Sequence, residues 1–236
     1  EKTAVYRENM DELLDYITKW VHEIKIPLSV CELILEHAAD KQWPSAGEMK
    51  VELARTRFLV NQVLHAGRAM DYSRNLSIRE FSIKELVLGA VKRSGIFFRE
   101  KNIEIHTSNL GYSVVNDEKW AAYILDQILH NAGKYTGQNG SVTIHAEKQP
   151  ESVKLLIKDN GVGIGRQDQR RIFDKGFTGE NGRRRTKSTG MGLYYAKKMA
   201  DRLGIGIDVS SKQNEYTEFV LTFYKLSDYF ERDKNV

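Results

Sequence analysis

The chain has 236 residues, 41% of them hydrophobic and 29% charged, with a net charge of +4 and one cysteine, Cys31. That length builds one large or two ordinary domains of soluble globular composition, and a lone cysteine excludes an intramolecular disulfide and suits a reducing compartment. No apolar run approaches the roughly 18 residues of a spanning helix, no signal peptide opens the chain, and nothing aromatic or finger-like accompanies the basic residues to make a nucleic-acid surface.

The segment from Val5 to Ala39 reads as one long amphipathic helix. Val5, Leu13, Ile17, Val21, Ile24, Leu28, Cys31 and Leu35 recur mostly at three- and four-residue steps. Pro27 interrupts it five residues after His22. A proline inside a helix removes an amide donor and clashes with the carbonyl four residues back, at roughly 3 kcal/mol. That carbonyl belongs to Glu23, so a kink here puts His22 on a loosened, partly exposed turn; the bland alternative is a chance proline. Pro44 separates this helix from a second, from about Ala46 to Tyr72, whose apolar spacing runs through Met49, Leu53, Val60 and Val63. A lone helical hairpin cannot bury two apolar stripes. A second copy completes a four-helix bundle, so a homodimer is expected.

The texture changes after Asn75. Leu76 to Phe81 reads as a strand, and Ser82-Ile83-Lys84-Glu85 opens a helix with a capping-box pattern. Ile103 to Thr107 alternates like a strand, and a helix follows from about Asp117 to Tyr135. Ser141–Glu147 and Ser152–Asp159 form a strand hairpin turning at Gln149-Pro150-Glu151. A glycine- and arginine-rich stretch runs from Gly161 to Thr189, a structureless loop of about 25 residues, which is long enough to suggest a functional role. A helix from Gly192 to Leu203 and strands near Ile205–Ser211 and Glu218–Phe223 close the chain. The expectation is one sheet with helices on one side.

Three elements carry chemistry. The strand ending in Asp159 runs into Asn160-Gly161-Val162-Gly163-Ile164, where backbone can approach a ligand closely beside a carboxylate able to accept from an exocyclic amine such as adenine's. A tight strand-to-loop turn is the plain alternative. The third glycine, Gly165, comes too early for a dinucleotide fingerprint, and no phosphate loop of the Gly-x4-Gly-Lys-Ser/Thr type occurs. A second turn, Ser188-Thr189-Gly190-Met191-Gly192-Leu193, enters a helix whose exposed amides and positive dipole end suit a phosphate. Between the turns lies the tract Arg183-Arg184-Arg185-Thr186-Lys187, readable as a phosphate-side lid or as a solvated face. On the helix ending at Tyr135, Asn131 offers a neutral oxygen that suits Mg²⁺, and Lys134 shares its face. His130 has no partner at metal-ligand spacing.

The order His22-Glu23-x-x-x-Pro27, Asn131-Ala-x-Lys134-Tyr135-Thr136, Asp159-Asn-Gly161-x-Gly163-Ile, Thr189-Gly190-Met-Gly192-Leu193 resembles bacterial sensor histidine kinases over nearly the whole chain. The Trp-Val-His-Glu-Ile-Lys context is most similar to the intramembrane-sensing kinases of antimicrobial-peptide and cell-envelope responses. The resemblance implies an α + α/β chain. Residues 1–75 form a dimerisation and phosphotransfer hairpin, two copies of which make a four-helix bundle; residues 76–236 form a Bergerat-type (GHKL) α/β sandwich binding ATP.

By the same resemblance His22 is the phosphoacceptor, oriented by Glu23. Asn131 binds Mg²⁺, Lys134 the phosphates, Tyr135 the adenine side and Asp159 the adenine amine. Gly161, Gly163, Thr189, Gly190, Gly192 and Leu193 form the turns that bracket the lid. Phe173 and Phe177 match the aromatic box at the lid's start, a role that competes with simple core packing. Gln127 stands where relatives carry a first asparagine and keeps an amide oxygen for the metal. Glu215-Tyr216-Thr217-Glu218-Phe219 lacks a glycine often found there. Ile26 replaces the Thr or Asn that positions water for dephosphorylating the partner.

The implied activity is ATP-dependent phosphorylation of His22, then transfer to an aspartate of a cognate response regulator. The implied setting is the cytoplasmic side of a membrane protein, as a soluble portion whose N-terminal membrane part, outside this chain, meets a transporter. The rivals are another ATPase of the same nucleotide fold and a nucleotide-binding dimeric scaffold without kinase activity.

Overall fold

The computed structural model describes residues 17, 21, 24–26, 28–36, 46–70, 76–179 and 190–225. The chain divides into two units, Glu1–Asn75 and Leu76–Val236.

In the first unit, residues 24–26 and 28–36 are helical, and helix α1 spans Ala46–Met70. Arg57 on α1 donates from Nη1 to Oε2 of Glu32 at 2.7 Å, which ties the two helical stretches together. Val21 and Leu35 are buried, whereas Ile26, Val30, Leu33 and Ile34 are exposed. The first helix therefore has one apolar face turned inward and another facing solvent. His22, Glu23, Pro27 and the turn containing Pro44 lie outside the described residues.

The second unit has seven strands and three helices among its described residues. Strands β1 (Ile78–Ser82) and β3 (Ser113–Asp117) pair antiparallel as a small sheet of their own. The larger sheet has the spatial order β2 (Glu104–Ser108), β4 (Ser141–Gln149), β5 (Ser152–Asp159), β7 (Tyr216–Tyr224), β6 (Ile205–Lys212). β2 runs parallel to β4 and every other pairing is antiparallel. Two sheets thus replace the single one expected. The strand missed was β3, because Asn116-Asp117 reads as a helix cap; Asp117 is both the last strand residue and the cap of the next helix.

Cross-strand partners share a sheet face. One row runs Ala146, Leu155, Leu221, Ile207 and the next Ile144, Ile157, Phe219, Val209. Helices α2 (Ile83–Glu100), α3 (Glu118–Tyr135) and α4 (Gly192–Arg202) supply the facing layer, with Leu125, Ile128 and Leu129 of α3 and Ala196 and Met199 of α4 buried. Each buried Leu, Ile or Phe contributes roughly 1.5–3 kcal/mol against an exposed reference. The helix starts follow from local chemistry. Ser82 accepts from the Glu85 amide at 3.4 Å, and Asp117 accepts from the amides of Trp120 (3.1 Å) and Ser77 (2.8 Å). Phe81 meets Phe223 edge-on at 6.3 Å, which seats the small sheet on the core.

Candidate functional site

The apolar rows of the sheet end in a polar one. Val142 pairs with Asp159, Asp159 with Thr217 and Thr217 with Ser211. Asp159 is only 6% exposed. Burial pushes its carboxyl up from the usual 3.8 to about 6, opposed by the Gly161 amide, which donates to Oδ1 at 2.9 Å. A carboxylate held at the edge of an apolar face, with a second oxygen to spare, is an acceptor waiting for a donor. Thr217 is buried beside it, and its Oγ1 lies 3.2 Å from the Ser211 hydroxyl.

The turn after Asp159 is clamped on two sides. A Cβ on Gly161 would lie 2.6 Å from the Tyr135 carbonyl oxygen and 2.7 Å from the Asp159 carboxylate, so only glycine fits. That same Tyr135 carbonyl accepts from the Val162 amide at 3.2 Å, which fastens the turn to the end of α3. On the other side Gly163 has φ +63°, and a Cβ there would strike the Lys212 carbonyl at 2.2 Å. The β6–β7 hairpin holds this flank. The Ser211 hydroxyl accepts from the Ile164 amide at 2.8 Å and donates to the Tyr216 carbonyl at 2.6 Å. Gln169 donates to the carbonyls of Ile164 (3.0 Å) and Ser211 (2.7 Å), and the Asn214 amide donates to Val162 at 2.8 Å.

α3 brings Gln127, Asn131, Lys134 and Tyr135 along its length. Gln127 is buried, Asn131 and Lys134 half-buried, and Lys134 Nζ sits 4.9 Å above the Tyr135 ring. His130 meets Phe97 edge-on at 5.2 Å, an aromatic contact that accounts for it as packing. Among the described residues, no group of three or more His, Cys, Asp or Glu could hold a metal ion. An Mg²⁺ site here would therefore draw on neutral side-chain oxygen and on the nucleotide's own phosphates.

The second turn is held differently. Gly190 packs on Gly176, where its Cβ would come within 2.4 Å of the carbonyl carbon, and its carbonyl accepts from the Gly176 amide at 3.2 Å. The two ends of the arginine-rich segment are thereby pinned together. Gly192 then opens α4, capped by Met191 with no side-chain hydrogen bond and with no acidic residue in the first turn. Thr189 and the tract 183–187 lie outside the described residues. The stretch before them is not structureless. Residues 165–177 form successive hydrogen-bonded turns, with Ile172 buried, Phe173 edge-on to Phe219 at 6.5 Å and Arg171 stacked 4.6 Å over Phe177.

Thr217, Ser211 and Gln169 did not stand out in the sequence. Alternation places Thr217 inward with Phe219 and Leu221, and a polar residue in an apolar row was the available signal.

The family model for histidine kinase-, DNA gyrase B- and HSP90-like ATPases matches residues 116–227. The sensor protein BceS of Bacillus subtilis is 34% identical over 223 residues, 94% of this chain and 66% of that protein. BceS of Halalkalibacterium halodurans is 31% identical over 229 residues, 97% of this chain and 68% of that protein. The chain belongs to the sensor histidine kinases. It spans about two thirds of the length of these relatives. The catalytic domain of histidine kinase ThkA superposes on 63% of this chain and 98% of its own at a TM-score of 0.55 and 26% identity. The α/β unit is thus the ATPase module of a sensor histidine kinase. Among the described residues, no helix is long and apolar enough to cross a membrane.

Proposed function

We propose that the chain is the catalytic portion of a sensor kinase that binds ATP in its α/β unit and phosphorylates His22. The observation that carries this reading is Asp159. A buried carboxylate raised toward neutrality, with one oxygen held by the Gly161 amide and its turn packed on the Tyr135 carbonyl, suits the exocyclic amine of adenine. Thr217 supplies a second polar group on the same row. Asn131 would hold Mg²⁺, with Gln127 one turn away, and Lys134 the phosphates. Tyr135 flanks the base. The open first turn of α4, entered through Thr189, Gly190, Gly192 and Leu193, is free of acidic side chains and offers its amides to phosphate.

Bound Mg²⁺ would supply charge neutralisation on the phosphates. This chain's residues do the rest. Glu23 accepts the imidazole proton of His22 and fixes the tautomer, leaving the other ring nitrogen free. That nitrogen forms a bond to the γ-phosphorus as the bond to the bridging β–γ oxygen breaks, and ADP leaves. The phosphoryl group then passes to an aspartate of a cognate response regulator. The protein works as a homodimer in this scheme, the exposed apolar stripe of the first unit meeting its copy. A membrane part would place the kinase on the cytoplasmic side, and the resemblance of Trp20–Lys25 to the kinases of antimicrobial-peptide responses implies a transporter partner.

Incubation with γ-labelled ATP tests the reading. The expected result is an acid-labile, alkali-stable label on the chain, lost in His22→Gln. ATP hydrolysis without label would instead mark a different ATPase of this fold, and nucleotide binding with neither would mark a scaffold.

A further inference from the structure

Lys101 ends one helix with its backbone and another with its side chain. α2 closes on a left-handed residue, Asn102, at φ +51°. The Asn102 amide donates to Arg99 at 3.2 Å and the Ile103 amide to Phe98 at 2.8 Å, the paired hydrogen bonds that satisfy a helix's last carbonyls. This fixes where the Lys101 side chain departs. Its Nζ donates to the carbonyls of Gly133 (2.8 Å), Lys134 (2.8 Å) and Thr136 (2.9 Å) at the C-terminus of α3. The Lys101 carbonyl accepts from the Asn139 amide at 2.8 Å, so the loop leaving α3 is bound as well.

The three carbonyls around the ammonium flank the fourth, Tyr135, which accepts from Val162 and against which Gly161 packs. Lys101 thus stands behind a peptide that links the helix of Asn131 and Lys134 to the turn of Asp159. A cation at a helix C-terminus is favourable in itself, up to the last turn. Its geometric consequence here is larger: the end of α3 cannot fray or rotate without breaking three charge-assisted hydrogen bonds.

Resting on the proposed ATP site, we infer that Lys101 is a positioning residue for nucleotide binding. It touches no nucleotide; it holds the phosphate side and the adenine side of the site in register through the Tyr135 carbonyl. The test uses the full chain carrying Lys101→Met or Lys101→Arg, with Mg·ATP affinity, melting temperature and amide exchange at Val162 measured together. Well below its melting temperature, Lys101→Met should bind ATP about tenfold more weakly, with faster exchange at Val162. Lys101→Arg, which keeps the charge and several donors, should stay within about threefold of the parent. A merely structural lysine would lower the melting temperature and leave affinity and Val162 exchange unmoved, and that result overturns the inference. So does an arginine variant as weak as the methionine one. Should Lys101→Met fail to fold, Lys101→Gln, which retains one donor group, is judged by the same criteria. If the parent chain binds no ATP, the functional proposal fails first and this inference with it; if only the variants match the parent, this inference fails alone.

Discussion

The α/β unit closes its apolar rows, from Ala146 across to Ile207, beneath three helices, whereas the helical unit leaves Ile26, Val30, Leu33 and Ile34 in solvent. In the large sheet the apolar rows give way to the polar pair of Asp159 and Thr217, both buried. The helical unit breaks its pattern along a whole stripe, with Met49, Leu59 and Val63 of α1 also exposed. A buried polar group points to a small ligand that will pair it, and an exposed apolar stripe points to a protein surface that will cover it. The two units announce their partners by opposite violations of the same rule.

The sharpest way to break this contrast is Asp159→Asn. Asparagine keeps the oxygen that accepts from Gly161 but cannot serve as an anionic acceptor, so ATP affinity should fall by roughly a hundredfold, the worth of a charged hydrogen bond of about 3 kcal/mol. Stability should move the other way. With its carboxyl raised from 3.8 to about 6, the folded protein holds a proton between those values that the unfolded chain has released. Asp159 therefore adds stability below pH 4 that is lost as pH rises to about 6, and above that it costs at most about 3 kcal/mol. The variant should melt a few degrees higher than the parent at pH 7.5, by roughly 2–6 °C, and the gain should shrink toward pH 4.5. ATP affinity of the parent should have the opposite slope, rising with pH through about 6. Calorimetric melting and ATP titration across pH check both. A fall in both affinity and melting temperature would mean Asp159 is a structural group.

Gly161→Ala probes the same row from the backbone side. Its Cβ would meet the Tyr135 carbonyl oxygen at 2.6 Å, a distance that backbone must relieve by moving. The expected cost is about 1–3 kcal/mol of stability and at least a tenfold loss of ATP affinity. Normal affinity on a normally folded variant would show that the turn has slack, contrary to the clamp described above.

Most of the α/β unit was legible because its signals are local. Ser82 and Asp117 cap helices by their own side chains, and the two-residue turn Pro150-Glu151 sets the β4–β5 register. What escaped depends on residues far apart in sequence. β3 owes its strand state to β1, more than thirty residues earlier, and not to its own pattern. Asp159 and the glycines near it were readable as a turn with a carboxylate, yet their clamps were not. The Tyr135 carbonyl belongs to another element, and Ser211 and Gln169 are ordinary polar residues until the β6–β7 hairpin folds against the turn. The long loop was overestimated because its turns at 165–177 are made by backbone hydrogen bonds and a single buried Ile172, which carry little periodicity.

On the helical side the matching test is charge on the exposed stripe. Leu33 and Ile34 are 54% and 59% exposed, so Leu33→Glu with Ile34→Glu should cost the single chain little. A self-association that buries them would lose roughly 1.5–3 kcal/mol per side chain in each copy, enough to turn a dimer into a monomer at micromolar concentration. Sedimentation should show this while ATP affinity stays within about twofold, since the α/β core is complete without the stripe. Dimers that persist would place the interface on another face.

The smallest expected effect lies on that same stripe, at Ile26. It is helical and 68% exposed, so nothing in the single chain packs its side chain away from solvent. The resemblance to sensor histidine kinases implies a Thr or Asn at this position to orient the water that removes phosphate from the partner; an isoleucine has no hydroxyl or amide to offer. Restoring a hydroxyl in Ile26→Thr adds one hydrogen bond to the attacking water, worth about 1 kcal/mol. Dephosphorylation of the response regulator should therefore rise about fivefold, while labelling of His22 changes by less than about twofold, because the substituted side chain makes no contact that phosphoryl transfer from ATP requires. Equal phosphatase rates in the two versions would mean that the exposed isoleucine serves only the apolar surface. In that case Ile26 belongs with Leu33 and Ile34 as a residue for a protein partner, and the contrast between the two units extends to within four residues of His22, the proposed phosphoacceptor.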